Sequence, residues 1–498
     1  MTIRRLIYLF IATACLLLQT ACQFEDDGQC ADTINVGDSY ISLTVAVSNG
    51  DTHARTRANT PAGGEDGDGR EAGFERENTV TGITLILYQD ANGINTTDNP
   101  TLDLVRYFPV TERAAGESPI EVTYTTGSQP LGRHNLNLSA TYHAIVIANA
   151  PGVAASLTEG VSTLSDIKDA TLNAIYAGDP TNSADDCTHF VMSSESDCTI
   201  NFGSVTATNL DGTTHVKGQD MLYDLTEQPI VIERMAARID FWAKGGTYDA
   251  TTYTTPGYVY QPWKSTDTTE PSSSDRFVIT RITPFNLNAG TEYLLKRTND
   301  ANKYLASETG SNYVIDPTTS TKTGTSTPAT FVNALSGIAS STDLSTNGYC
   351  HTIAAMHELA SASSTIDGKE NIIICYPMEN TLPDESPLYY YATGIVIEGD
   401  YYIGNNTTDP TKREHRIYFG YIRHQGESAD AYDALLPSEL STTEKTSSTK
   451  PMNFGIVRNN IYRISIEKVL EKTVEAPKIT LKIKVKKWDK FEHAPIYM

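Results

Sequence analysis

The sequence predicts an all-β protein of two domains with few short helices, and three observations support this prediction. The 498 residues are enough for two domains of ordinary size, each with its own hydrophobic core. The 27 tyrosines and the many Thr and Ser residues favour strands joined by polar loops. No long stretch repeats its apolar residues with the 3.6-residue period of a helix, and the best helix candidate in the first half is the segment 157–176.

The first residues indicate a secretory signal that ends at a lipid-modified cysteine. Two arginines precede the apolar run 6–18, which is too short to span a bilayer, and small residues stand directly before Cys22. We therefore predict that residues 1–21 are removed and that Cys22 carries palmitate, which holds the precursor at the outer membrane. The acidic run 23–27 resembles the signal that sends some Gram-negative lipoproteins to the outer leaflet, which predicts a surface location. An ordinary signal peptide with a chance cysteine is the alternative.

The charge of the chain argues against two classes of partner. Without the two arginines of the signal, the 38 basic residues fall to 36 against 61 acidic ones, so the formal charge changes from −23 to −25. A protein this acidic repels nucleic acid and anionic membrane surfaces. We therefore predict no nucleic-acid partner.

The cysteines leave the disulfide pattern open. Seven cysteines fall to five once the signal is removed and Cys22 carries lipid. In an oxidising compartment Cys187 and Cys198, which flank a mostly polar segment, can close a small loop. Cys350 and Cys375 are a second candidate pair, although Cys375 lies in an apolar run and is equally well explained as a core residue.

The first predicted strand, residues 40–47, shows a clear period of two. Ile41, Leu43, Val45 and Val47 fall on one face, which is the pattern of a half-buried strand.

A long polar segment follows this strand. It contains Arg55 and Arg57, and then the Gly- and Asp-rich run 61–70, which has no apolar surface to bury and is expected to be an exposed loop. Structure is predicted to resume in the strand 80–88. One strand is thus tethered to the rest of its domain by a long, arginine-dotted loop.

Period-two or apolar runs predict most of the remaining strands. Those of the first domain are placed at 104–108, 120–124 and 142–148, and those of the second at 277–282, 371–376, 388–397, 415–422, 461–466 and 479–485. A long or bent strand over 230–241 marks the region of the domain boundary.

No catalytic or metal-binding motif stands out. His357 is followed by Glu358, but the second histidine that a zinc-binding H-E-x-x-H helix needs is missing. The oxygen-rich loop from Asp90 to Asp98 lacks the spacing of a calcium loop and is better explained as a hairpin turn. We predict no enzyme activity, no cofactor and no metal.

The C-terminal region offers two apolar segments. In the first, the apolar residues alternate with Thr480 and with lysines; they are Ile479, Leu481, Ile483 and Val485. Such a strand has one apolar and one largely basic face, which suits a groove in an acidic protein. A permanent edge strand guarded by its lysines is an equally good interpretation. The second segment is the tail, which keeps Phe491 and Ile496 close to the end of the chain.

Several short motifs occur in a fixed order between Tyr40 and Trp488. They are 37–43 with the Arg57 and Ala58 step, Glu77 and Asn78, 143–150, 190–193, 233–239, 376–380, 457–463 and 485–488. Together they resemble the fimbrillins, the subunits of type V pili, and in particular the major subunit of minor (short) fimbriae.

This resemblance implies two transthyretin-like β-sandwich domains in tandem and export as a surface lipoprotein. It also implies an arginine-specific surface protease that removes the first strand, with Arg55 or Arg57 favoured over Arg70 and Arg76. The implied parts are a signal peptide at 1–21, a lipidated leader with the removable strand at 22–57, an N-terminal β-sandwich at 58–228 and a C-terminal β-sandwich with a terminal donor-strand candidate at 229–498.

Strand removal gives a physical route to polymerisation. It leaves a groove of unpaired backbone groups and apolar pockets that a strand of another pilus subunit can fill. Because donor and acceptor lie at different places on the same molecule, the contact does not close and propagates as a filament. The donor candidates are Ile479, Leu481, Ile483, Val485, Phe491 and Ile496.

Other functions are compatible with the same sequence. The acidic run between Cys22 and Cys30 also resembles the anchor subunits of these pili, which keep their first strand and stay lipidated. The chain is then a membrane-retained anchor or an adhesive tip subunit. A glycan-binding surface lipoprotein is a further alternative, with stacking by the aromatic runs 389–391 and 401–402, and a secreted hydrolase is the least favoured one.

Overall fold

A computed structural model of the chain describes part of its residues. The described ranges are 38–47, 70–72, 74–91, 98–112, 123–132, 136–168, 171–173, 189–194, 198–216, 219–264, 274–285, 287–288, 291–295, 331–332, 351–357, 363–381, 393–422, 432–433, 455–470 and 479–489. The predicted signal, Cys22 and the segment with Arg55 and Arg57 lie outside these ranges.

The prediction of an all-β chain with few short helices is confirmed. In chain order the first strands are β1 Ser39–Val47, β2 Arg70–Ala72, β3 Gly82–Tyr88, β4 Leu102–Pro109, β5 Thr111–Glu112, β6 Thr123–Thr125, β7 Gln129–Pro130, β8 Thr141–Ala148, β9 Thr171–Asn173, β10 Met192–Ser194, β11 Cys198–Asn201 and β12 Met221–Arg234.

The remaining strands belong to the second part of the chain. They are β13 Arg238–Trp242, β14 Thr247–Asp249, β15 Gly257–Tyr260, β16 Arg276–Phe285, β17 Leu287–Asn288, β18 Thr291–Tyr293, β19 Phe331–Val332, β20 His351–Thr352, β21 Ser363–Ile366, β22 Lys369–Cys375, β23 Asn380–Thr381, β24 Gly394–Tyr402, β25 Arg413–Tyr421, β26 Tyr432–Asp433, β27 Gly455–Ile456, β28 Asn460–Val469 and β29 Ile479–Asp489.

The helices are short. The α-helices are α1 Pro151–Ser156, α2 Leu164–Lys168 and α3 Ile353–His357, and the 3-10 helices are Glu75–Asn78, Phe202–Ser204, Ile403–Asn405 and Pro410–Lys412. Within the part of the chain that is described, no helix is both long and apolar enough to cross a membrane.

The predicted helix over 157–176 is wrong. Among its described residues the only helix is α2, which ends at Lys168, and the chain is already in strand β9 at Thr171. The preceding turn bonds to β4 instead of continuing a helix: the Leu102 N–H donates to the Ser162 carbonyl, and the Gly160 N–H donates to the Leu102 carbonyl, both at 2.8 Å. Gly160 has a φ of 68°, which a right-handed helix does not allow. Bonds to a distant strand edge therefore override the local pattern.

Ten strands of the first part, all except β2 and β9, form one sheet that curls around its core. Eight of them follow the order β4, β3, β8, β10, β12, β1, β6, β5, while β11 pairs with β8 and β7 with β1. In a flat sheet β6 would lie about 24 Å from β3. Yet the Tyr124 hydroxyl in β6 donates to the carbonyl of Asn78, just before β3, at 2.8 Å. The two halves of the sheet therefore approach each other.

Two sheets of the second part enclose a separate core. The first has the order β2, β29, β28, β13, β22, β21 with β26 on β29, and the second has the order β14, β15, β16, β24, β25 with β20 on β16. One buried cluster joins Phe241 and Ile464 of the first sheet to Phe277 and Ile397 of the second. This is the arrangement of a sandwich, in which apolar faces of two sheets pack together.

The change from one sheet to the next falls after the predicted boundary at 228–229. Those residues lie inside β12, which continues to Arg234 in the first sheet, while β13 begins the second part at Arg238. The short link between them is buried at Met235, Ala236 and Ala237. The two parts are thus joined through packed backbone and not through an exposed linker.

Candidate functional site

β1 occupies an internal position in the first sheet. On one side it pairs in parallel with β12, from Ser39 opposite Met221 to Val47 opposite Ile232. On the other side it pairs antiparallel with β6 and β7. Loss of such a strand leaves unpaired N–H and C=O groups on neighbours at both sides, which is a template for another strand.

Both faces of β1 are buried, which corrects the prediction of a half-buried strand. The predicted inner face consists of Ile41, Leu43, Val45 and Val47, exposed by 0 %, 1 %, 0 % and 2 %. On the other face Ser42, Thr44 and Ala46 are buried as well, at 7 %, 0 % and 4 %. Because β1 has a strand on each side, side chains this small are shielded even on the face that alternation assigns to solvent.

The burial of β1 determines how much free energy of apolar burial a replacement strand must contribute. Fully burying an aliphatic side chain contributes about 1.5–3 kcal/mol, so the four inner residues together contribute about 6–12 kcal/mol. An incoming strand must supply apolar side chains at the same alternate positions to match this.

A bulge in β12 marks the register of the groove. Between Leu43 and Val45 the chain advances two residues along β1, while the partner positions advance five residues, from Leu225 to Ile230. Pro229 lies in the bulge and has no N–H to donate to a ladder. A replacement strand must accommodate this irregularity in the hydrogen-bonding ladder, so the bulge restricts the registers it can adopt.

The arginine candidates lie in different surroundings. Arg55 and Arg57 are outside the described residues. Arg70 begins β2, and its backbone pairs in parallel with Lys487 of β29. Arg76 lies in the 3-10 helix Glu75–Asn78 and is half-buried.

The first donor candidate forms part of a sheet. β29 pairs antiparallel with β28 from Ile479 opposite Val469 to Lys487 opposite Asn460, and its other edge carries β2 and β26. Leu481 is buried in the second core. The other residues of this candidate, Ile479, Ile483 and Val485, share the same ladder. The tail candidates Phe491 and Ile496 lie outside the described residues.

The predicted cysteine pair is not brought together in the described part of the chain. Cys198 begins β11, where it lies opposite Ala144 of β8, and Cys187 lies outside the described residues. Cys375 is fully buried in the second core, as one of the two interpretations predicted, and Cys350 is outside the described residues.

The tyrosines proposed to stack on sugars have another role where they are described. Tyr401 and Tyr402 in β24 are 0 % and 1 % exposed, so neither ring can meet a glycan. The Tyr401 hydroxyl donates to Asp275 at 2.7 Å, and the Tyr402 ring packs on Tyr253. The run 389–391 lies outside the described residues.

The remaining chemical candidates form structural contacts. His357 at the end of α3 lies 2.7 Å from Glu370 and stacks on the Tyr248 ring at 3.6 Å between centroids. Among the residues that are described, no group of three His, Cys, Asp or Glu side chains is arranged to hold a metal ion.

A cluster of buried charges lies where the two parts of the chain meet, and we call it the junction cluster. It is built by Glu77, Asn78, Arg234, Arg238, Asp240, Asn371, Tyr376, Asn459 and Arg463. Most of these residues belong to the short motifs found in the sequence, but nothing in the sequence showed that the motifs meet. The available signal was the presence of arginines between buried apolar residues in 233–239.

Glu77 receives hydrogen bonds from three directions. Its side chain is fully buried and accepts from the Phe74 N–H at 2.7 Å and from Arg238 Nη1 at 3.2 Å. The Tyr376 hydroxyl donates to its other oxygen. Burial and the charge of Glu77 raise the pKa of Tyr376 well above its usual value, so this hydroxyl keeps the proton that it donates.

Arg238 and Asp240 form a bidentate pair beside Glu77. Arg238 Nε and Nη2 donate to the two Asp240 oxygens, both at 2.9 Å. Burial alone lowers the pKa of Arg238, but the carboxylates of Asp240 and Glu77 raise it above its usual value. Burial raises the pKa of Asp240, and the charge of Arg238 opposes this. Asn371 donates to Asp240 at 2.9 Å and so satisfies a further lone pair.

Arg234 connects the first sheet to the second part of the chain. Its Nε donates to the Glu77 carbonyl and its Nη1 to Asn459 Oδ1, both at 2.9 Å, while Nη2 donates to Asn78 Oδ1. The guanidinium thus binds the segment that follows the leader and the turn before β28. The segment downstream of the removable strand is therefore held independently of β1.

The comparisons with known proteins are limited to solved structures. No family model and no curated protein matches the chain. A candidate cell adhesion protein from Parabacteroides distasonis is 13 % identical, with a TM-score of 0.43 over 92 % of this chain and 100 % of the other.

Two fimbrial proteins from Porphyromonas gingivalis are also similar. The fimbrilin FimA is 12 % identical, with a TM-score of 0.36 over 92 % of this chain and 100 % of that protein. The tip fimbrial protein Mfa3 is 11 % identical, with a TM-score of 0.36 over 91 % of this chain and 100 % of that protein. Two of these three neighbours are thus fimbrial proteins, and the third is a candidate cell adhesion protein.

Proposed function

We propose that the chain is a structural subunit of a surface pilus, assembled by exchange of its first strand. In this proposal it reaches the surface as a lipoprotein, an arginine-specific protease cuts the leader, and β1 is replaced by a strand of another subunit. The partners are other pilus subunits, the protease and, through lipid, the outer membrane. No cofactor is involved.

One observation carries this proposal. β1 is bonded by strands on both sides and buried on both faces, yet in sequence it precedes everything else in its sheet and joins the next described strand only at Arg70. A single cut in 48–69 would therefore separate the strand covalently without interrupting any described strand. The vacated groove would present backbone groups and apolar pockets to an incoming strand.

N-terminal sequencing of the mature protein from the cell surface tests the proposal. We expect a chain that begins directly after one of the arginines in the leader. A mature chain that begins at Cys22 would contradict cleavage and favour the second candidate, a membrane-retained anchor or tip subunit. That candidate keeps β1 in its groove, which the burial of both faces of the strand also allows.

Lipid at Cys22 is tested by Cys22→Ser. We expect the variant protein to lose membrane attachment, because a soluble domain is held stably only when its cysteine carries more than one acyl chain. Cell fractionation and intact mass of the precursor provide the measurement, with Cys30→Ser as the matched control that keeps its lipid. Normal retention and assembly of Cys22→Ser would contradict the lipoprotein proposal.

The tail 490–498 is the donor segment that we favour over β29. Donation by β29 would break pairs with β28, β2 and β26, whereas the tail follows the last described strand. We expect deletion of 491–498 to leave a secreted, cleaved monomer that cannot donate a strand, with a melting temperature changed by less than about 2 °C.

A double variant refines the test of the tail. Phe491→Ser with Ile496→Ser removes apolar side chains and should also prevent donation, while His493→Ser serves as the polar control. Electron microscopy and size-exclusion chromatography measure assembly. Filaments from the truncated protein would exclude the tail as donor.

A further inference from the structure

Arg76 is held by one side chain of the second part of the chain and by one of its own segment. Its Nη2 donates to the Tyr376 hydroxyl at 3.2 Å, and its guanidinium lies 4.7 Å from the centre of the Phe74 ring. The same Tyr376 hydroxyl donates to Glu77. One hydroxyl therefore links the arginine to the adjacent buried carboxylate.

The backbone around Arg76 is also held in a closed conformation. The Glu77 N–H donates to the Phe74 carbonyl at 2.9 Å, which forms the 3-10 turn. The Phe74 N–H donates to the Glu77 carboxylate at 2.7 Å, and Arg234 donates to the Glu77 carbonyl at 2.9 Å. The bond between Arg76 and Glu77 thus lies inside a compact turn in which the backbone N–H and C=O groups of Phe74 and Glu77 have partners.

The residues before this turn are paired as well. β2 forms a parallel ladder with β29, in which Arg70 lies opposite Lys487 and Ala72 opposite Asp489. A protease cuts segments whose backbone can leave its ladder or turn, and its rate follows how often that opening occurs. Both later arginines are therefore in backbone that must open before it can be cut.

We propose that Tyr376 and Glu77 withdraw Arg76 from arginine-specific proteolysis and so fix the downstream limit of leader removal. This inference rests on the proposed function, because it assigns the limit of the same processing step. The turn Glu75–Asn78 and β2 then stay with the mature subunit, and Arg76 is an anchoring residue instead of a cleavage site. Processing releases β1 without disturbing the junction cluster.

The test measures cleavage positions in the unassembled full-length chain. The detergent-purified precursor is treated with an arginine-specific endoprotease, and new N termini are followed over time. We expect the cut between Arg76 and Glu77 to be at least about 100-fold slower than in a synthetic peptide of residues 70–82, because local opening must come first. A rate within tenfold of the peptide's would overturn the proposal.

Tyr376→Phe isolates the contribution of the hydroxyl. The ring keeps its packing against Phe190, at 5.0 Å between centroids, so the fold is retained. We expect the cut after Arg76 to become about tenfold faster, because a hydrogen bond to a charged group is lost.

Tyr260→Phe is the matched control for this variant. Tyr260 is a buried tyrosine whose hydroxyl has no hydrogen-bond partner in the described part of the chain. We expect Tyr260→Phe to be cleaved after Arg76 at the parental rate. Equal cleavage rates for the two variants would refute the role of Tyr376. Filament formation is measured in a separate assay. The cleavage rates can therefore be interpreted even if the chain does not form a pilus.

Discussion

Replacing Arg238 with methionine should lower the free energy of unfolding of the chain by about 3–5 kcal/mol. The side chain is 2 % exposed, and its guanidinium forms ion pairs with both Glu77 and Asp240. Its loss removes the cation closest to two buried carboxylates and leaves Asp240 with the longer ion pair to Arg463, at 3.8 Å. Removing one partner of a buried ion pair is among the most destabilising single changes in a protein core. Chemical denaturation followed by far-UV circular dichroism measures the effect.

Lys244→Met is the matched control for this prediction. Lys244 lies close to Arg238 in sequence, but its side chain is 51 % exposed and its pair with Glu467 spans 3.8 Å. An exposed pair of this kind contributes less than about 1 kcal/mol. Adding Asp240→Asn to Arg238→Met should recover part of the loss, because one unpaired charge is removed. Equal effects of the two methionine variants would show that the junction cluster does not stabilise the fold.

The effect of Arg238→Met should depend on pH. Burial raises the pKa of Asp240 above its ordinary value of 3.8, so the folded chain holds this proton more tightly than the unfolded chain. The resulting stability is present at low pH and is lost as the pH rises through the folded pKa. Because Arg238 opposes the rise, its removal raises the pKa further. The loss relative to the parent should therefore be smaller at about pH 4.5 than at about pH 7.5.

Replacing Arg55 and Arg57 together with alanine should abolish assembly. The expected product is an uncleaved lipoprotein that keeps β1, because the groove is already filled by a strand bonded on both sides. An incoming strand would have to displace about 6–12 kcal/mol of apolar burial. Immunoblotting of the surface fraction and electron microscopy of filaments provide the measurement.

The later arginines supply the controls for that experiment. Arg70→Ala should leave processing and filament length unchanged if the ladder with β29 protects this site. A variant that lacks Arg55, Arg57, Arg70 and Arg76 removes all four candidate cleavage sites. Filaments of normal length from this quadruple variant would contradict assembly by arginine-specific cleavage.

The residue pattern alone was enough to predict the class of the fold and the approximate positions of the longest strands. Alternation at Ile41, Leu43, Val45 and Val47 predicted β1 and its inner face, and all four residues are buried in the first core. Such predictions succeed because a period of two depends only on residues close together in the chain. The predicted helix at 157–176 failed because its turn bonds to β4, more than fifty residues away in the chain.

The surroundings of the candidate site became visible only in the folded chain. It showed that the second face of β1 is buried, since the strand has neighbours on both sides. It also brought Glu77 to Arg238 and Tyr376, across 161 and 299 residues of sequence. No local pattern encodes such pairs, because a buried charge is stable only when folding delivers its partners from distant segments. The candidate cleavage arginines of the leader were predictable from the sequence. The contacts that distinguish Arg76 from them form only in the folded protein.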